Sequence, residues 1–191
     1  MNGKRRQRRI ILVCLYAFLF GSSDIALSGT LPERGSLLPD CSFPAPKGKH
    51  DRKDRAYLGI DSNEVFKIGQ TAGDYTLLEI VGVYCPQCHS QAPVFNELFR
   101  RVENDARIKG KLKILAIAAG ATAEEVEYMR EVYKIPFPLL IDPKFNIHSL
   151  LGEPRTPFTM LVARSGEVLY AHSGGIEDLD HFMQSLRQLV Q

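Results

Sequence analysis

The chain has 191 residues, 45% of them hydrophobic and 24% charged, with four Cys and no Trp. That length suits one domain with an appendage and argues against two full domains, and the apolar fraction argues against a disordered chain. The formal charge of +2 is too small to indicate a nucleic-acid partner, and it is unevenly placed: residues 1–28 hold five cations (Lys4, Arg5, Arg6, Arg8, Arg9) against one acid, Asp24, so the remainder carries about −2.

The chain opens with Lys4–Arg9 and then Ile10–Phe20 (IILVCLYAFLF), an apolar run without a charge. A basic stretch, a short apolar stretch and then small residues describe a secretory signal, here with Ala26-Leu27-Ser28 as a small-x-small site and Gly21-Ser22-Ser23 as a second candidate. Spanning a bilayer takes roughly 20 apolar residues, so residues 1–28 are expected to be a signal peptide or an N-terminal anchor, with residues 10–23 as a possible membrane tether. Residues 29–56 hold four of the eleven prolines, with Gly35, Gly48 and the charged run Lys47–Arg55. They show no apolar period and are expected to form a flexible linker, with Cys41 an incidental thiol within it.

From Tyr57 onward strands and helices alternate. Tyr75–Tyr84 (YTLLEIVGVY) reads as a central buried strand, apolar on both faces except at Glu79. A helix follows with Val94, Phe95, Leu98, Phe99 and Val102 on one stripe. Leu112–Ala118 is a second buried strand. Thr122 and Glu125 form a capping box for a helix that turns Val126, Met129 and Val132 inward. Leu139–Ile141 is a short strand. Phe158–Ala163 and Glu167–His172 flank Arg164-Ser165-Gly166 as a hairpin, and a last helix carries Ile176, Leu179, Phe182, Met183, Leu186 and Leu189 toward the core. Strands separated by helices pair in parallel, and the late hairpin adds an antiparallel edge, so the fold class is α/β with a mixed central sheet.

The chemistry lies at Cys85-Pro86-Gln87-Cys88, where the first strand meets its helix. A Cys at the N-cap meets the helix dipole and free backbone N–H groups, which favour thiolate, and Pro86 at the first helical position loses no hydrogen bond. Cys88, one turn on, can close a disulfide with Cys85, the geometry that thiol–disulfide exchange needs. A structural disulfide across so short a loop would remove little chain entropy, and a zinc site lacks a second pair of ligands. Cys85-Pro-Gln-Cys88-His89 also spells the c-type haem attachment pattern, which would need a distal ligand such as Met129 or Met160. His89 otherwise reads as an exposed first-turn residue. Glu79, a carboxyl inside an apolar strand six residues before Cys85, calls for a partner or a raised pKa.

Strand, Cys-x-x-Cys, helix, strand, helix and then Arg155-Thr156-Pro157 before a hairpin resemble the thioredoxin fold over residues 57–191. Pro93, five residues after Cys88, matches the proline of the family's active-site helix, and Pro157 matches its cis-proline. Ile135–Pro143 and the spacing from Pro157 to Gly166 are similar to the exported TlpA/ResA-like branch. The resemblance implies a thiol–disulfide oxidoreductase of the bacterial periplasm or the outer face of the inner membrane, with no cofactor. It implies protein thiols and disulfides as substrates and a membrane redox partner. By the same resemblance Cys85 is the nucleophile, Cys88 resolves the mixed disulfide and Glu79 accepts a proton from Cys88. Thr156, Pro157, Tyr84 and Pro86 would then hold substrate. Tyr84 stands where the family usually has Trp, and the dipeptide between the cysteines is Pro-Gln rather than Gly-Pro. A peroxiredoxin-like thiol peroxidase is a weaker alternative, because Ile80–Tyr84 contains neither the Pro nor the Thr or Ser that such sites place before their Cys.

Overall fold

A computed structural model describes residues 29–62 and 64–190; the expected signal or anchor, residues 1–28, lies outside them. The sheet is built as the apolar runs require. β3 (Tyr75–Val81) lies at its centre, parallel to β4 (Leu112–Ala119), which is parallel to β5 (Leu139–Asp142). On its other side β3 pairs antiparallel with β6 (Phe158–Ala163), and β6 with β7 (Val168–Ser173). The strand order is thus β5-β4-β3-β6-β7.

α2 (Pro86–Asn104), α3 (Ala123–Tyr133) and α5 (Leu179–Leu189) bury Phe95, Leu98, Met129, Phe182, Met183 and Leu186 with Leu77, Val81, Ile114 and Leu161 on one side of the sheet. Thr122 caps α3 in the expected box with Glu125. Val132, expected inward, is 48% exposed. Ile176 precedes α5 rather than lying on it.

The second face corrects the linker expectation. Residues 29–56 are docked rather than free: Phe43 in β1 (Phe43–Pro44) is buried, and β1 pairs antiparallel with β2 (Val65–Phe66). Cys41, Phe43 and Ala45 join Leu58, Ile60, Phe66 and Ile68 over Leu78, Ile80, Leu115, Ile117, Met160 and Val162. α1 (Asp51–Leu58) straddles the expected domain start at 57 and is fastened to α3 by a buried ion pair between Asp54 and Arg130. A central strand apolar on both faces needs a cover on each, and on this side the Pro-rich segment supplies it together with α4 (Asn146–Leu150). Its prolines hide the signal: they erase any helical or alternating period, yet a proline is tolerated on an edge strand. Burial pushes the Cys41 thiol up to about 11, which leaves it inert. Among the described residues, no helix is long and apolar enough to cross a membrane.

Candidate active site

β3 ends at Val81, three residues earlier than the apolar run suggests, and Gly82–Tyr84 form the turn that delivers Cys85 to the N-cap of α2. Gly82 permits a tight approach, since a Cβ there would stand 3.3 Å from both Cys85 Cβ and Thr156 Oγ1. The Cys88 N–H donates to Cys85 Sγ (3.3 Å), and the Gly82 N–H donates to Cys88 Sγ (3.5 Å). Cys85 is partly exposed, while Cys88 is 1% exposed. From the loop before β6, the strand beside β3, the Thr156 carbonyl accepts from the Cys85 thiol at 3.4 Å, and the Thr156–Pro157 peptide is cis.

These surroundings separate the two thiols. Burial raises Cys85, but hydrogen bonds from the Cys88 thiol, Thr156 and the backbone N–H groups of Cys88 and Gln87 outweigh it, and its pKa falls below the ordinary thiol value. Burial raises Cys88, and the neighbouring Cys85 sulfur raises it further. The exposed sulfur is therefore the readier thiolate and the buried one keeps its proton.

Glu79 lies on β3 between Leu77 and Val81, whose side chains share a core cluster with Cys88, so it faces the α2 side of the sheet. It is 3% exposed. Burial lifts its carboxyl well above the ordinary value, and the Cys85 sulfur adds to the shift. Tyr84 is 82% exposed beside the pair, and its hydroxyl donates to the Glu125 carboxylate at the start of α3. Pro86 is exposed at the first turn of α2, and Pro157 is buried.

Cys85, Cys88, Thr156 and Pro157 thus converge on one spot, with Glu79 beneath it and Tyr84 and Pro86 at its rim. His89 departs from the simple exposed residue expected. Its Nε2 is 2.6 Å from the Val83 carbonyl oxygen, and its ring stacks on Tyr133 with centroids 5.2 Å apart. Of the two candidate distal ligands for a haem, Met160 lies on the opposite face of the sheet from α2, and Met129 is buried beneath α3.

Sequence reasoning missed three polar residues near the pair. Gln91, on α2, is 4% exposed, and its Oε1 accepts from the Ile176 N–H (3.1 Å). Thr159, on β6, is fully buried, and His172, on β7, has Nε2 3.2 Å from the Gly175 carbonyl oxygen. Gln91 carried a faint signal, a polar residue three positions after Cys88 on the inward side of a helix.

No family model matches the chain. Among curated proteins it is similar to the thiol-disulfide oxidoreductase ResA of Geobacillus kaustophilus, 25% identical over 96% of this chain and 99% of that protein. ResA of Halalkalibacterium halodurans is 25% identical over 65% of this chain and 69% of that protein. Among solved structures, the thioredoxin domain of a thiol-disulfide oxidoreductase from Bacteroides vulgatus superimposes with a TM-score of 0.60 at 15% identity, covering 83% of this chain and 99% of that one.

Proposed function

We propose that this thioredoxin-fold thiol–disulfide oxidoreductase exchanges disulfides with protein substrates through the Cys85-Pro86-Gln87-Cys88 dithiol. The observation that carries the reading is the inequality of the two sulfurs: Cys85 is reachable and its pKa lowered, while Cys88 is buried and its pKa raised. Cys85 thiolate attacks one sulfur of a substrate disulfide, forming a mixed disulfide and expelling the other sulfur as thiolate. Cys88 then gives its proton to Glu79 and attacks Cys85 Sγ. The Cys85–Cys88 disulfide closes and the second substrate thiolate leaves, so two electrons pass from the dithiol to the substrate. The same steps in reverse oxidise a substrate dithiol.

Glu79 suits the acceptor role because its raised pKa brings it toward that of the thiol it serves. Thr156 holds Cys85 through its carbonyl and lies where an extended substrate segment would meet the dithiol, with Pro157 behind it and Tyr84 and Pro86 framing the approach. Residues 1–28 direct export, as a signal peptide or as an anchor through residues 10–23, and so place the dithiol on the periplasmic side of a bacterial inner membrane, within reach of a membrane redox partner. Residues 29–190 form the catalytic unit behind that segment.

The test is a trapping experiment. Cys88→Ala, expressed in its native envelope, is expected to accumulate disulfide-linked protein partners on Cys85, whereas Cys85→Ala traps none. Absence of any trapped partner, together with wild-type failure to reduce insulin with dithiothreitol as donor, would refute the reading.

A further inference from the structure

Glu79, Thr159 and His172 are successive partners in the register of β3, β6 and β7: Glu79 opposes Thr159, and Thr159 opposes His172. Directly opposed residues share a face, and Leu77, Leu161 and Tyr170, two positions away on the same strands, all pack on the α2 and α5 side. The three polar side chains therefore form a row beneath α2, set against a sheet face that is otherwise apolar around them.

The row contains unpartnered groups. Thr159 is 0% exposed, and its Oγ1 has no hydrogen-bond partner among the described residues. Gln91, one turn along α2 from Cys88, is likewise buried, and its Nε2 is unpartnered. Buried hydroxyls and amides are costly when unpaired and are normally satisfied by protein or by ordered water. Opposed Cβ atoms lie roughly 4.5–5.5 Å apart, so short side chains that do not touch leave gaps that a water molecule can bridge.

The row ends in the open. His172, Gly174 and Gly175 line a solvent-facing cleft of about 520 Å³ between β7 and α5, with Gln87 at its rim. Gln91 lies behind this lining against Gly175, where an added Cβ would stand 2.8 Å from Gln91 Oε1. On this side of the sheet, α2 contributes the thiols Cys85 and Cys88. β7 contributes His172, and the chain around the start of α5 contributes Glu177, Asp178 and His181 at the cleft.

We propose that Glu79, Thr159 and His172, with water bridging the gaps beside Gln91, form a proton exit from the buried dithiol to the cleft between β7 and α5. The proposal rests on Glu79 accepting the Cys88 proton. A bound substrate covers the Cys85 side, so a proton taken up by Glu79 during resolution leaves from behind. The carboxyl proton passes to a bridging water, a proton of that water passes to Thr159 Oγ1, and the hydroxyl's own proton moves through a second bridging water to the imidazole. With Nε2–H donating to the Gly175 carbonyl, Nδ1 is the accepting nitrogen, and the imidazolium releases its proton to cleft water. Each relay oxygen ends with the protons it began with.

In stopped flow with the full-length protein, release of the fluorescent peptide half held on Cys85 as the mixed disulfide reads the resolution step, and iodoacetamide alkylation reads Cys85 alone. Thr159→Val keeps the shape and removes the hydroxyl. It is expected to leave alkylation unchanged, slow resolution by roughly tenfold, less than the roughly 10²–10⁴ of a direct acid–base group, and enlarge the solvent deuterium isotope effect. Thr159→Ser is expected to restore both values. His172→Phe, at the open end of the row, is expected to slow resolution in the same way and serves if Thr159→Val does not fold. Wild-type resolution rates and isotope effects in folded Thr159→Val or His172→Phe would overturn the exit. Glu79→Gln separates the two readings: a wild-type resolution rate there overturns the acceptor role itself, whereas slow Glu79→Gln with fast Thr159→Val overturns only the route.

Discussion

At the scale of single residues, the reactivity of Cys85 is set by neighbours that reach it from two directions. The α2 N-terminus contributes the Cys88 N–H, and the loop before β6 contributes Thr156. The Thr156 hydroxyl favours thiolate, so Thr156→Val is expected to raise the Cys85 pKa. Alkylation by iodoacetamide at neutral pH should slow about fivefold, the factor matching one net hydrogen bond of about 1 kcal/mol. An unchanged rate would assign the low pKa to the helix terminus alone. The Cys-x-x-Cys pair and Glu79 were legible in the sequence because each is a residue type out of place in its local pattern, whereas the Thr156-Pro157 dipeptide was pointed out by the resemblance to the thioredoxin fold. Thr159 and His172 were not: Thr and His are ordinary in strands, and only their opposition to Glu79 across β6 and β7 distinguishes them.

At the scale of elements, the strands and long helices followed from periodicity, and the errors cluster where the period is short or broken. β3 stops at Val81 because the chain must turn to present Cys85, although Val83 and Tyr84 continue the apolar pattern. The docking of residues 29–56 was illegible because its contacts are scattered: Cys41, Phe43 and Ala45 are buried one by one between prolines and charges. Phe43 is the test of this cover. It is fully buried against Phe66, with ring centroids 5.9 Å apart. Phe43→Ala should destabilise the fold by about 3–5 kcal/mol in urea unfolding, the range for a buried aromatic truncated to Ala. A loss near zero would mean that the segment only rests on the sheet.

At the scale of the whole molecule, the fold keeps a carboxyl in its core at a cost that varies with pH. The folded-state pKa of Glu79 is raised well above the ordinary value of 4.5. Below that value, folded and unfolded chains are both protonated and Glu79 has no effect on their balance. As pH rises past it, the unfolded chain ionises while the folded one does not, so stability falls by up to about 1.4 kcal/mol per pH unit until the folded carboxyl also ionises. Subtracting the Glu79→Gln profile from that of the reduced wild type in urea unfolding between pH 4 and 8 should isolate this decline, with the variant the more stable at pH 7. Parallel profiles would show that the carboxyl is solvated in the folded state.

The sequence by itself determined the α/β architecture, the dithiol at a strand–helix junction and the suspicion attached to Glu79, because those depend on residues close together along the chain. Tertiary structure decided which thiol is exposed, what covers the second face of the sheet, and the polar row leading away from Glu79. Those properties arise from pairings between residues tens of positions apart, such as Glu79 with Thr159 and Phe43 with Phe66. Burial and register set them, and neither is encoded in any local pattern of residue types.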